Sequence, residues 1–345
     1  MTKMDSTSFA DQIMWLKKSV LIVLFYVLLI SGATAQPVKV AFIGDQGTDV
    51  NAQAVLQLVE SEGTQLLLIQ GDLGYDPDTA AIWEANLDRI LGVDFPVLTV
   101  VGNHEEYEWP SYKQFITARI NRIPELTCTG EIGVKALCQF KGIEIVQVAP
   151  GISEVEGVLA EDGYEEYIDQ SFATSQAKWR ICSWHKNQRK MQVGGKKDET
   201  GWGVYQACLR NGGIIATGHE HSYSRTFLMS NFKQQTIVHN NSHMEIDKGQ
   251  SFAFVSGLGG KSVRPQQLSG AWWAAIQTLD QGATHGALFC EFDQLLASCY
   301  FKGINNVSRD SFTLESRLGI TPPDPNPSDS TMASIIAIIV TLLFD

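Results

Sequence analysis

From Val38 onward the chain writes apolar runs that end in glycine plus a polar side chain, and helical stretches separate them. VKVAFIGD is followed by a helix near Asp49 to Glu60, QLLLIQGD by a helix near Thr79 to Leu91, and FPVLTVVGN closes the series. Runs with no polar alternation are strands buried on both faces, so this βαβαβ pattern predicts a parallel central sheet covered by helices. Open α/β sheets carry their functional groups beyond the carboxyl ends of the strands. That rule sends Asp45, Asp72 and Asn103 to one rim.

The next segment, Trp109 to Gln170, reads as irregular, with a hairpin from Leu137 to Pro150 and the wall of a cleft as its expected role. The βα pattern resumes in KWRICSWH, a helix near Trp202 to Asn211, and GGIIATGHEH, which places His185, His219 and His221 at strand ends. SFAFVSGLGG, HGALFCEFD and ASCYFKG are strand-like runs suited to a second sheet. No repeat or internal linker interrupts the text, so a single α/β domain is expected from Pro37 to Ile320. Its length and the chain's 44% apolar content are enough for a sizeable core.

Five short blocks thus carry seven potential metal ligands at strand ends: GDQG (Asp45), GDLGY (Asp72, Tyr75), GNHE (Asn103, beside His104), SWH (His185) and GHEH (His219, His221). Each block alone is commonplace, since Gly-Asp after a strand is usually a turn. Their order and mix of donors point to a two-metal site. Carboxylates, an amide oxygen and imidazoles suit hard or borderline cations. Two such cations acidify a water and clamp phosphoryl oxygens, which is what ester hydrolysis requires. Tyr75 narrows the metal further, because a phenol of pKa about 10 ionises only beside a highly charged ion such as Fe(III). With Fe(III) and a divalent ion, Asp45, Asp72, the phenolate and one hydroxide leave the site at about +1, which attracts a phosphate anion.

The series resembles that of the purple acid phosphatases, within the calcineurin-like metallophosphoesterase superfamily, over about Val40 to Arg225. The resemblance implies a four-layer sandwich of two mixed β-sheets flanked by helices, and a binuclear phosphatase acting on small phosphate monoesters through a metal-bound hydroxide. By that resemblance Asp45, Tyr75 and His221 hold Fe(III), Asn103, His185 and His219 hold zinc, manganese or iron as the divalent ion, and Asp72 bridges. His104 faces substrate and protonates the leaving alkoxide. A phosphodiesterase or nucleotidase on the same scaffold, and a metal-containing surface binding protein without turnover, are the alternative readings. Where many relatives supply further histidines, this chain reads His185-Lys186-Asn187-Gln188-Arg189-Lys190. Lys186 and Gln188 are therefore candidate substrate ligands, with a solvated loop as the alternative.

A net charge of -12 argues against nucleic-acid binding. Lys17 and Lys18, the apolar run Val20 to Ile30 and the small residues to Ala35 read as a signal peptide over residues 1–35, being short of the ~20 residues of a membrane span. A Pro-rich linker (321–331) then leads to an apolar tail (332–345). That tail reads as a lipid-anchor signal, with a short tail anchor or a sticky terminus as alternatives. The expectation is a secreted or surface-anchored protein. Six cysteines suit disulfides in that compartment. Proximity favours Cys128 with Cys138 and Cys290 with Cys299, leaving Cys182 for Cys208. Asn240 and Asn306 head glycosylation triplets.

Overall fold

The computed structural model describes residues 36–319 except 153, 156–157 and 160–162. The expected signal peptide, linker and apolar tail lie outside the described residues. Strand β1 (Val38–Ile43) pairs in parallel with β2 (Leu66–Ile69), which pairs in parallel with β3 (Val97–Thr99), as the buried apolar runs require. Helix α1 (Val50–Ser61) starts where Asp49 accepts hydrogen bonds from the Asn51 and Ala52 amides, and it buries Ala52, Val55, Leu56 and Val59 at helical spacing. Helix α2 (Ala80–Ile90) follows β2 and buries Trp83 and Leu87, and the Trp83 indole donates to Gln46 Oε1 at 2.9 Å, holding the turn after β1.

Among the described residues, the segment expected to be irregular holds regular elements. Helix α3 (Trp109–Arg122) has Pro110 in its first turn, where a missing N–H does no harm, and braces β3 against β4 (Leu126–Glu131). Strands β5 (Lys135–Phe140) and β6 (Ile143–Val148) form the expected hairpin, turning through Lys141 (φ 44°) and Gly142 (φ 86°). The short pair β7 (Glu154–Val155) and β8 (Val158–Leu159) precedes helix α4 (Tyr164–Phe172).

The second sheet is built on β9 (Trp179–Ser183) and β10 (Ile214–Thr217), joined by helix α5 (Gly203–Arg210). Its order, β16-β11-β15-β10-β9-β6-β5-β4, takes in β11 (Tyr223–Thr226), β15 (Ala253–Ser256) and β16 (Trp273–Gln277). Strands β12 (Leu228–Asn231) and β13 (Thr236–His239) form a separate small ribbon. One expectation is corrected. HGALFCEFD and ASCYFKG, β17 (Gly286–Phe292) and β18 (Leu296–Gly303), belong to the first sheet, where β17 runs antiparallel beside β1. That sheet is completed by β19 (Ser308–Ser316) and β14 (His243–Ile246), in the order β14-β19-β18-β17-β1-β2-β3. The free edge of β1 is a site only a distant strand can fill, and sequence proximity carries no word of it.

The two mixed sheets face one another, as the sandwich implied. Phe42 meets Phe254 edge-on at 5.1 Å, Tyr223 stacks on Phe301 at 4.3 Å, and Arg225 forks onto Asp310 at 2.7 and 3.0 Å. The three expected disulfides are present: Cys128–Cys138, Cys182–Cys208 and Cys290–Cys299. From Pro37 onward the described chain forms one compact unit.

Candidate metal centre

The parallel strands of both sheets end at the same rim. Asp45, Asp72 and Asn103 follow β1, β2 and β3, and His185, His219 and His221 follow β9 and β10. The blocks are tied to each other by their backbones: the Asp45 amide donates to the Gly71 carbonyl at 3.0 Å, and the Gly218 amide to the His185 carbonyl at 3.2 Å. Glycine is needed where strands approach this closely. A Cβ on Gly102 would lie 2.2 Å from the Asp72 nitrogen, and one on Gly218 would lie 2.6 Å from the Gln70 carbonyl oxygen. Asp45, Asp72 and His219 adopt left-handed backbone, with φ of 56°, 55° and 69°. Such residues persist only where the surroundings over-determine them, and here the turn aims each side chain into one centre.

All seven expected ligands converge there. The donor atoms of Asp72, His185 and His219 lie within 4.8 Å of one another, as do those of Asp45, Asp72 and His221, so Asp72 belongs to both groups. Tyr75 Oη lies 3.4 Å from Asp45, 3.2 Å from Asp72 and 3.3 Å from His221 Nε2, which places it in the second group. Asn103 Oδ1 lies 3.2 Å from His185 Nε2, which places it in the first.

Hydrogen bonds behind the rings decide which nitrogens face inward. His185 Nδ1 donates to the Gln70 carbonyl at 2.7 Å and His221 Nδ1 to the Ser262 carbonyl at 2.9 Å, while His219 Nε2 donates to Glu199 Oε2 at 2.8 Å. In the neutral rings the lone pairs of His185 Nε2, His219 Nδ1 and His221 Nε2 therefore face the carboxylates and each other. His219 Nδ1 is only 3.0 Å from His185 Nε2, and His221 Nε2 is 3.3 Å from Asp45 Oδ1. Oxygen Oδ2 of Asp45 is buried with no hydrogen-bond partner. Acceptors packed against acceptors repel unless positive charge sits among them, so the donor set fits a pair of cations.

The electrostatics say the same. Burial opposes charge on His185, yet Asp72 and Asp45 raise its pKa to about 9, so a proton is drawn into the first group. Burial would raise the pKa of Asp45, but the contact with His221 and the charges of His221 and His185 together outweigh it and hold the group below its usual value. Burial, followed by the charges of Asp45 and Asp72, pushes the Tyr75 phenol far above its ordinary range.

Several residues that the sequence did not single out complete the site. Glu105, fully buried, accepts from the amides of Asp72, Leu73 and Gly102 at 3.0, 3.1 and 2.6 Å. This is the acid of the GNHE block, acting as a clamp on two ligand-bearing turns. Glu199 comes from a loop with no motif. Lys186 donates to the Gly151 carbonyl at 2.8 Å and pairs with Glu199 at 3.4 Å, and Gln188 caps a short 3-10 turn and reaches Asp198 at 3.3 Å. Both candidate substrate ligands are thus engaged in shaping the Glu199 loop, because that loop folds back over the end of β9. His104 is half-exposed beside the site: its amide donates to Asp72 Oδ1 at 3.1 Å, and its ring lies 4.2 Å from that of Tyr75. His285 lies outside both ligand groups, its Nε2 donating to the Lys261 carbonyl at 2.6 Å. Trp273 packs inside, and Trp272 donates to the Lys190 carbonyl at 3.1 Å. Asn240 and Asn306 are exposed.

Comparison with known proteins bears on the same centre. The fold is similar to a purple acid phosphatase, PPD1 of yellow lupin (Lupinus luteus), at 16% identity and a TM-score of 0.61, covering 81% of this chain and 54% of that one. The chain therefore spans about half the length of the lupin enzyme. It is also similar to GAP50 of Plasmodium, described as the anchor in the inner membrane complex, at 13% identity and a TM-score of 0.56, covering 87% and 95% of the two chains. PhoD matches at 11% identity and a TM-score of 0.51, with 83% and 71% covered. No curated protein sequence matches the chain. The sequence profile of the calcineurin-like phosphoesterases matches residues 38–223, more than half of the protein. With that match and two ligand groups sharing Asp72, the chain belongs to the calcineurin-like phosphoesterase family of metal-dependent phosphoester hydrolases.

Proposed function

We propose that this protein is a secreted or cell-surface phosphomonoesterase with Fe(III) and a divalent ion at its two ligand groups. The observation that carries the reading is Asp72, whose carboxylate is shared by Asp45, Tyr75 and His221 on one side and His185 and His219 on the other. Asp45, Tyr75 and His221 would hold Fe(III), and Asn103, His185 and His219 the zinc, manganese or iron. Tyr75 supports the trivalent assignment, since burial and two carboxylates oppose its ionisation and only a strongly charged neighbour reverses that. When bound, the pair would neutralise phosphoryl oxygens and lower the pKa of water.

The chain's own residues supply the rest. His104, outside both ligand groups and open to solvent on one side, holds the proton for the departing alkoxide, and the hydrogen bond its backbone N–H donates to Asp72 fixes its distance from the centre. The ring of Tyr75 limits its rotation. Glu105 locks the Asp72 and Asn103 turns together, and Glu199 orients His219. The three disulfides agree with an oxidising compartment. Among the described residues no helix is long and apolar enough to cross a membrane. Residues 1–35 as a leader, 321–345 as linker and anchor signal, and sugars on Asn240 and Asn306 belong to the same proposal.

The test is purification of the domain, measurement of metal content and visible absorption, and assay of mono- and diesters beside Tyr75→Phe. Colour that bleaches in the variant, together with faster monoester turnover, is expected. A colourless, iron-free but active enzyme overturns the Fe(III) assignment, and a diester preference overturns the monoesterase. The similarity to GAP50 over nearly all of that chain favours a second reading, a surface anchor that keeps its metals without turnover. A fully metallated protein inactive on every ester would establish it.

A further inference from the structure

Two loops bring lysines to the metal centre. Lys196, from the loop after β9, donates to the carbonyl oxygen of His219, and its charge bears on Asp45, Asp72 and His104. Lys261, after β15, stands 4.3 Å over the ring of Tyr75, and its amide donates to the Asp45 carbonyl at 3.0 Å. One lysine therefore flanks each ligand group. Among the described residues neither forms an ion pair; one is held by a carbonyl and the other by an aromatic face. The nearby cation Arg264 is treated differently: it pairs with Glu220 at 3.6 Å. The two loops are stitched together, with the Gln267 and Leu268 amides both donating to the Val193 carbonyl at 2.8 Å, so the lysines are held in place.

We propose that Lys196 and Lys261 select substrates carrying a second phosphate beyond the one hydrolysed, the class of diphosphate monoesters. This rests on the two-metal reading above. The ligand set leaves the metal pair at about +1, and two unpaired lysines raise the local charge to about +3. A simple monoester dianion leaves that charge partly uncompensated, whereas a diphosphate monoester carries about -3 and matches it. A charge-assisted contact from an ordered lysine changes affinity by about tenfold or more.

The experiment measures binding by calorimetry, with two anions that the enzyme cannot hydrolyse. These are α,β-methylene adenosine diphosphate, a trianion, and phenylphosphonate, a dianion. Wild type, Lys196→Met, Lys261→Met and the exposed control Lys197→Met are compared after their metal content is checked. The expected result is a preference for the diphosphate analogue that falls about tenfold in each of the first two variants, with phenylphosphonate changing by about threefold or less and the control unchanged. Equal loss for both anions, or no loss, overturns the proposal. Should Lys196→Met lose metal, Lys261→Met and the charge-keeping Lys196→Arg decide it: the first must lose the preference and the second retain it. Failure of the phosphatase reading shows separately, as an absence of turnover on any ester by a protein whose anion preference is intact.

Discussion

Glu199 gives the sharpest test of how the centre is organised. Its carboxylate accepts from His219 Nε2 at 2.8 Å, and that bond alone fixes the tautomer that turns Nδ1 inward. Burial would raise its pKa, but the His219 hydrogen bond and charge hold it at about 2, so it is an anion throughout the working range. Replacing it by alanine removes the acceptor and frees the ring to rotate or exchange tautomers. Outer partners of ligating histidines are worth ten- to a hundredfold in metal affinity. A short, charge-assisted bond on a side chain only 14% exposed belongs in the middle to upper part of that range, about 2 kcal/mol or ~30-fold. Competition with a chelator, read as the content of each metal, should show Glu199→Ala losing the divalent ion about 30-fold more readily. The ion held by Asp45, Tyr75 and His221 should stay. Glu199→Gln, which keeps an acceptor oxygen, should lose less, about three- to tenfold. Unchanged divalent affinity in the alanine variant, or equal loss of both metals, would refute the argument that Glu199 acts through His219.

Two further outcomes concern the frame. Arg119 is buried and satisfies the carbonyls of Gly92, Val93 and Phe95 together with Glu84 and Asp88, so Arg119→Met should lower stability by about 3–5 kcal/mol in urea denaturation by stranding Glu84. Glu62, at the end of α1, accepts from Tyr300 and Lys302 of β18, and although burial opposes it these bonds lower its pKa below 4.5. A depressed carboxylate stabilises the fold above its unfolded pKa and loses that contribution as pH falls through the folded value. Glu62→Gln should therefore shift the urea midpoint near neutral pH and have little effect at about pH 3.

How much of this was legible depended on whether the information was local. The strand ends were readable because apolar runs and punctuating glycines are written side by side, and Asp49 marks the start of α1 as plainly in the text as in the structure. Helix α3 could have been read. Trp109, Tyr112, Ile116 and Ile120 lie at helical spacing and are buried, but aromatic and polar neighbours diluted the pattern. Two disulfides join directly paired residues of adjacent strands, Cys128 with Cys138 and Cys290 with Cys299, so proximity was a sound guide to them. Proximity failed for β17, whose partner Val40 is paired with Cys290 across most of the chain. Glu199, Lys196 and Lys261 were invisible for the same reason: loop conformation is set by what the loop lands on, here β9, β10 and each other.

The same features that make the centre selective make it a burden on the apo fold, and this yields a last expectation. Asp45, Asp72 and His219 hold left-handed backbone at about 1 kcal/mol or more each, and three imidazole lone pairs face buried carboxylates or one another. Proton uptake by His185 relieves only the first ligand group, leaving Asp45 Oδ2 without a partner in the second. Cations that bind the native state and not the unfolded chain stabilise it by about 4 kcal/mol at a thousandfold excess over Kd. At roughly 2 °C per kcal/mol for a domain of this size, removing both metals should lower the Tm by about 8 °C or more in calorimetry, and restoring them should recover it. Removing only the divalent ion should give the smaller part of the shift, because His185 can take up a proton in its place, whereas loss of the other ion leaves Asp45 Oδ2 without a partner. A metal-free protein melting at the same temperature as the loaded one would mean that the rim is rigid and satisfied without metal, and that the orphaned oxygen and crowded lone pairs are not the signature of a cation site.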